Sequence, residues 1–290
     1  MKLPSFDLRI GATQADVLAQ LSALGSDCRI LAGGQTLLPW MRYRVVRPSV
    51  LLAIGKVADL DTLVLDGTLR IGANVRHAQL EDLPPTPARP IVELLRRHAA
   101  GIAFRPIRQQ GTVVGSLALA DPKGDWPLLF CALDAQLRLD SVRGSRQVPM
   151  RRFIRGPLEV DRAVDELVSE VQVPELRARL LSFGRSKLCH RAGEYALASA
   201  VVVRRTDGFD CWAGALGDAP VTAPSLAAEL NRQSDSAAAR PSSTGERARY
   251  VEAALMDLRR ALPDEAPIPL LRHAENLVDA AEQALHGTHA

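Results

Sequence analysis

Arg29-Ile30-Leu31-Ala32-Gly33-Gly34-Gln35-Thr36-Leu37-Leu38-Pro39 is the stretch on which the fold turns. Ile30 and Leu31 end a short apolar run that predicts a buried strand. Ala32, Gly33 and Gly34 then form a small-residue turn, and Leu37 opens a second apolar run. Glycine takes positive φ without strain and brings no Cβ to hold a ligand away from the backbone. Consecutive N–H groups in such a turn can face one concavity and hold an anion. The same residues also satisfy ordinary strand–turn–helix grammar with no ligand at all. The stretch is not a P-loop, because no Gly-Lys-Ser/Thr follows, and it lacks the Rossmann Gly-x-Gly-x-x-Gly.

A second segment of similar composition runs from Ile107 to Pro122 and carries Gly111, Thr112, Gly115 and Ser116, with Asp121 and Asp125 after them. Two small-residue loops can grip a diphosphate from two sides. Hydroxyls at Thr36, Thr112 and Ser116 would add hydrogen bonds to those of the backbone. Asp121 precedes Pro122 and suits the cap of a helix opening there. Asp121 and Asp125 are spaced to share one helix face.

Around these segments the chain divides into three units. Thr13 is placed to cap a helix over 13–24 that Gly25 stops, and strands follow at 28–31 and 50–54. This makes a small α/β unit over 1–56. Asp66-Gly67, between two apolar runs, predicts a hairpin. Helices over Ile91–Ala100 and Trp126–Leu133, with strands at Leu137–Leu139 and Leu167–Val173, make a mixed α+β unit over 57–176. The remainder, 177–290, reads as two or three strands with a helix between them over 180–216, a loose Ala/Ser/Pro-rich connection over 218–245, and two helices over 246–262 and 269–286.

Composition removes several functions. The formal charge is only +3 and the basic residues are scattered, so nucleic-acid binding is not expected. Four cysteines lie far apart with no Cys-x-x-Cys, which excludes an iron–sulfur cluster or structural zinc held by this chain alone and suits a reducing compartment. No run reaches the ~20 apolar residues of a membrane span, and the first residues lack the apolar core of a secretory signal, so a cytoplasmic location is expected. There is no Gly-x-Ser-x-Gly, and the histidines are isolated. No catalytic acid, base, nucleophile or metal ligand is assigned.

The order of motifs resembles the flavin-binding subunit of the molybdenum hydroxylases, which include carbon monoxide dehydrogenase, xanthine dehydrogenase and aldehyde oxidoreductase complexes. The resemblance is carried by Ala32-Gly33-Gly34-Gln35-Thr36-Leu37-Leu38-Pro39 with Arg47-Pro48, and by Leu69-Arg70-Ile71-Gly72-Ala73 with His77. It continues through Ile107-Arg108, Gly111-Thr112, Gly115-Ser116-Leu117-Ala118 and Ala120-Asp121-Pro122 with Asp125, to Lys187 and Arg191-Ala192-Gly193-Glu194-Tyr195-Ala196. It implies an α+β fold of the vanillyl-alcohol-oxidase (PCMH) type, two FAD-binding subdomains followed by a C-terminal three-stranded sheet with helices. FAD would lie extended between the first two units, its diphosphate on Ala32, Gly33, Gly34, Gln35, Thr36 and Leu37 and on Gly111, Thr112, Gly115 and Ser116. His77, Asp121 and Asp125 would contact flavin or ribose, and Lys187 would place a cation near the ring.

The resemblance further implies a molybdopterin-binding large subunit, a small subunit with [2Fe–2S] clusters, and an external acceptor such as NAD, a quinone, a cytochrome or O₂. This chain departs from the family pattern at four places: Val114 for a second consecutive Gly, Leu119 for a polar residue, Gln109 for Asn and Arg76 for Thr. A Cβ at position 114 is expected to crowd the diphosphate or oppose a positive φ. Two other readings follow from those departures and from the fold: an assembly subunit that has lost FAD, and a standalone flavin oxidoreductase.

Overall fold

The structure, a computed structural model, describes residues 2–174, 179–234 and 243–287. It contains three main sheets, and their order along the chain sets where the two glycine segments meet.

The first sheet is parallel, with Val50–Ala53 between Asp7–Ile10 and Cys28–Leu31. Parallel strands need crossovers: the helix Gln14–Leu24 joins the two outer strands, and the helix Leu37–Arg42 lies in the connection from Cys28–Leu31 to the central one. Thr13 caps that helix, its Oγ1 accepting from Asp16 N at 3.1 Å, and Gly25 closes it at φ +54°. Val17 and Leu21, four apart and therefore on one face, are buried. The strand Asp7–Ile10 was not anticipated. All four of its residues are exposed at the sheet edge, and its apolar alternation, Leu8 and Ile10, is only two residues long.

The second sheet is antiparallel and five-stranded, in the order Leu63–Val64, Leu69–Gly72, Leu167–Val173, Gln136–Ser141, Gly144–Pro149. The hairpin turns at Asp66-Gly67, with Gly67 at φ +71°. The central strand Leu167–Val173 is buried along almost its whole length. The helix Asp125–Ala132 has every residue from Trp126 onward buried.

The third sheet is antiparallel, with three long strands, Ser182–Leu188, Ala198–Arg205 and Gly208–Gly214, and a two-residue edge strand Val221–Thr222 beyond the three expected. Its middle strand shows why both faces are apolar. Val201 and Val203 join the core shared with the first two sheets, while Ala200 and Val202 join a second core under the helices Thr244–Ala261 and Pro267–His286. At Gly184 the strand lies so close to the last helix that a Cβ would stand 1.7 Å from Ala280 O.

Two expectations are corrected here. No helix interrupts 180–216: Leu188 and Ala198 are joined by turns in which Gly193 takes φ +86°. The connection over 218–245 is not loose throughout, because Pro224–Ser234 is a helix that buries Leu226 and Leu230, one turn apart. The rest of that connection, 235–242, lies outside the described residues, and Ser243 caps the next helix in a reciprocal bond pair with Glu246.

Candidate functional site

Leu31 ends its strand and the chain turns at once. Gly34 takes φ +71°, and Gln35 Nε2 donates back to Gly33 O at 3.2 Å. The helix Leu37–Arg42 follows, anchored by Leu38 N donating to Gly34 O at 3.1 Å, and Thr36 makes no side-chain cap bond. Among the described residues, the backbone N–H groups of Gly33, Gly34, Gln35, Thr36 and Leu37 meet no protein acceptor. Polar groups of this kind are normally paired, so the turn presents a run of free donors.

The second segment is built differently from the loop expected. Arg105–Gln110 and Val113–Leu119 are both helical, and only Gly111 and Thr112 lie between them. Thr112 caps the second helix, its Oγ1 accepting from Gly115 N at 3.1 Å, so one lone pair of that hydroxyl serves the fold. Gly115 lies inside the helix on its exposed side, with Ser116 beside it half-buried. Val114 is 2 % exposed and packs in the main core. Its backbone is helical, so no positive φ is asked of it, and its side chain points into the protein. The expected crowding at position 114 is therefore not found.

The two segments touch. A Cβ on Gly33 would stand 2.4 Å from Gln110 O and 2.8 Å from Gly111 Cα, so the close approach of the two backbones requires glycine there. Arg76 donates from Nη1 to Gln110 O, which puts a guanidinium beside the same seam. No Asp or Glu occurs within Ala32–Leu37 or Gly111–Ser116. Bare glycine backbone, unpaired amides and a nearby cation fit a diphosphate. A groove of about 720 Å³ is lined by Arg146, Arg151, Arg152, Arg155 and Asp161 among others and shares no residue with this seam.

His77 lies directly behind Gly111. Its backbone N donates to Gly111 O at 3.0 Å, and its Nδ1 accepts from Trp126 Nε1 at 3.0 Å. Burial, and then the Arg108 and Arg76 charges, pull its pKa down to about 4. His98 also meets Trp126, 5.1 Å away ring to ring, with Nε2 2.8 Å from Asp125 O. The sequence marks Trp126 only as the start of a helix. Nothing local could have shown more, because its ring partners His77 and His98 are 49 and 28 residues away in the chain.

Asp121 and Asp125 do not share a helix face. Asp121 Oδ1 accepts from Lys123 N at 2.9 Å in a turn, and the helix opens only at Asp125, after Gly124. The Asp125 carboxylate takes a bond from Lys187 Nζ at 2.9 Å, and Lys187 also donates to Gly101 O at 3.1 Å. The two side chains are 12 % and 10 % exposed. The cation expected at Lys187 is thus balanced by Asp125, with the Arg185 guanidinium 3.9 Å from the same carboxylate. The structure therefore gathers Ala32–Leu37, His77 and Gly111–Ser116 at one seam. Asp125 and Lys187 form a separate pair, joined to that seam through Trp126.

Comparison with known proteins agrees with this geometry. Residues 5–176 match the family described as FAD binding domain in molybdopterin dehydrogenase. The chain is 36% identical over 208 residues to the nicotine 6-hydroxylase medium subunit of Paenarthrobacter nicotinovorans, covering 71% of each chain. It is 32% identical over 206 residues to the carbon monoxide dehydrogenase medium chain of Hydrogenophaga pseudoflava, again 71% of each. Among solved structures, carbon monoxide dehydrogenase from Hydrogenophaga pseudoflava superposes with a TM-score of 0.82 at 27% identity over 98% of both chains. Quinoline 2-oxidoreductase from Pseudomonas putida 86 gives 0.84 at 26% over 100% of both. Among the described residues no helix is long and apolar enough to cross a membrane. With the family matched over more than half its length and the fold shared from end to end, the chain belongs to the FAD-binding medium subunits of the molybdenum hydroxylases, an oxidoreductase family.

Proposed function

We propose that this subunit holds FAD at the seam of its two glycine segments and passes electrons from a partner [2Fe–2S] small subunit, supplied by a molybdopterin-binding large subunit, to an external acceptor. NAD, a quinone, a cytochrome and O₂ are the acceptor classes. The observation that carries the reading is the backbone contact between Gly33 and Gly111 beside unpaired amides. When bound, FAD supplies the redox chemistry; the protein supplies binding, orientation and electrostatics.

The residues at the seam divide that work. The amides of Gly33, Gly34, Gln35, Thr36 and Leu37, next to Ala32, would donate to the diphosphate. Gly111, Thr112, Gly115 and Ser116 would close on it from the other segment, leaving the bare face of the helix toward the ligand. Arg76 adds positive charge where the family commonly has Thr. His77 would donate to diphosphate or ribose, and Asp121 would meet a ribose or flavin edge. Asp125 and Lys187 would set the dielectric and charge near the ring as a neutral pair. The cofactor would lie between the units 1–56 and 57–176, with its ring facing 177–290. A cytoplasmic setting agrees with four cysteines that are all free.

The test is flavin absorbance of the purified chain, followed by FAD titration of wild type and Gly33→Val. One equivalent of FAD on wild type, lost in the variant, supports the reading. A colourless protein that takes up no FAD leaves the assembly role. Turnover of an organic substrate without other subunits identifies a standalone oxidoreductase.

A further inference from the structure

The ring stack behind Gly111 does more than fill the core. Trp126 is 1 % exposed and contacts the rings of both His77 and His98, with Phe130 stacked on it at 5.7 Å. An indole N–H is a donor only. At 3.0 Å from Trp126 Nε1, His77 Nδ1 must therefore carry a lone pair. A flipped ring would aim the indole N–H at a carbon and waste the bond. The ring proton then sits on Nε2. Protonating both nitrogens would set two N–H groups head to head, so the imidazole is held neutral as well as oriented.

Nε2–H is the free end of this arrangement. It has no protein partner among the described residues, yet it is not sealed from solvent as His98 Nδ1 is. It lies against Gly111: a Cβ there would stand 2.7 Å from it. Gly111 in turn touches Gly33. The free N–H therefore opens at the seam where the two glycine segments meet.

We propose that Trp126 is a positioning residue for the flavin nucleotide, fixing the His77 tautomer so that Nε2–H is presented to the diphosphate or its adjoining ribose. This rests on the FAD reading above. A neutral donor holds an anion with the same strength across ordinary pH, where an untethered histidine would gain and lose charge. The charged groups facing His77 are Arg76 beside it and Arg108 of the helix Arg105–Gln110, the latter bonded to Glu81 at 2.7 Å. His98, on the helix Pro90–Ala100, shares the Trp126 ring with it. Beyond Trp126 lies Asp125, held by Lys187.

The test uses the full chain labelled with ¹⁵N. Long-range ¹H–¹⁵N correlations on the free protein should show His77 as the neutral Nε2–H tautomer at pH 7. Trp126→Phe keeps the ring and removes the donor. In that variant the His77 titration should move up, and FAD affinity, flat from pH 6 to 8 in wild type, should tighten as pH falls because a cation then faces the diphosphate. His77→Gln keeps an N–H near the Nε2 position and should retain FAD, while His77→Leu should lose affinity about tenfold. An Nδ1–H tautomer in wild type overturns the proposal. So does a Trp126→Phe protein with unchanged titration and pH profile, or equal affinity in the Gln and Leu variants. If wild type binds no FAD, the flavin reading fails and takes the ligand half with it; the tautomer spectrum still reports on Trp126 by itself.

Discussion

Gly34 in the first segment and Gly115 in the second are glycine for different reasons. Gly34 sits at φ +71° in a true turn, where any Cβ is strained. Gly115 sits inside a helix at ordinary angles, where glycine is the poorer choice for stability. Its use is spatial: it leaves one helix face bare and gives its N–H to Thr112. The first segment obtains free donors by leaving amides unpaired, while the second caps itself and offers a smooth surface. One anion site can thus be made from a strained half and an unstrained half. Of these two glycines, only Gly34 is required by its backbone angles.

Four measurements would break or sharpen that contrast. The largest effect belongs to Val114→Gly. If the second segment were a mirror of the first, this change would restore it. With Val114 in the core, it should instead cost about 3 kcal/mol of stability through a cavity and a helix glycine, with no gain in FAD affinity. Urea unfolding and FAD titration of the same sample decide it. Acid comes next, because the second segment leans on His77. Its folded pKa of about 4 lies below the ordinary 6.5, so the unfolded chain binds more protons between those values. Its contribution is fully present above pH 6.5 and lost as pH falls toward 4, at most roughly 3 kcal/mol. Unfolding curves at pH 7 and pH 5 should show the loss, and His77→Gln should flatten it.

The two glycines themselves give the smaller effects. Gly34→Ala should destabilise by about 1–2 kcal/mol from the positive φ, with methyls of Leu38 and Leu31 at 3.0 and 3.2 Å adding crowding. Gly115→Ala should move stability by less than about 0.5 kcal/mol. The helix gains roughly what it loses when the new Cβ, 2.5 Å from Thr112 Oγ1, displaces the cap. FAD affinity should nonetheless fall. A large stability loss at Gly115 would mean that the two segments are alike after all.

Much of the architecture could be read before any coordinates. Cys28–Leu31 and Val50–Ala53 announced themselves by short apolar runs, the hairpin by Asp66-Gly67 and the first helix by Thr13. The seam was legible too, since small residues at both segments imply close backbone approach. What escaped was set by distant packing. Gly-Thr-Val-Val-Gly-Ser has the propensities of a loop, and burial of Val113, Val114 and Leu117 overrides them. Asp7–Ile10 pairs at an edge and leaves its two apolar residues, Leu8 and Ile10, exposed. Trp126 and the partner of Lys187 depend on contacts 49 and 62 residues apart, which no local pattern encodes.

Asp125 uses its carbonyl to hold His98 and its carboxylate to hold Lys187. In the history of such a sequence these two charges are linked. Losing Asp125 alone would leave Lys187 buried without its counterion, a step costing about 3–5 kcal/mol, whereas losing Lys187 alone leaves the Arg185 guanidinium 3.9 Å from the carboxylate. Descendants of this chain are therefore expected to keep Asp125 wherever they keep Lys187, and a pairwise exchange should be milder than the sum of its parts.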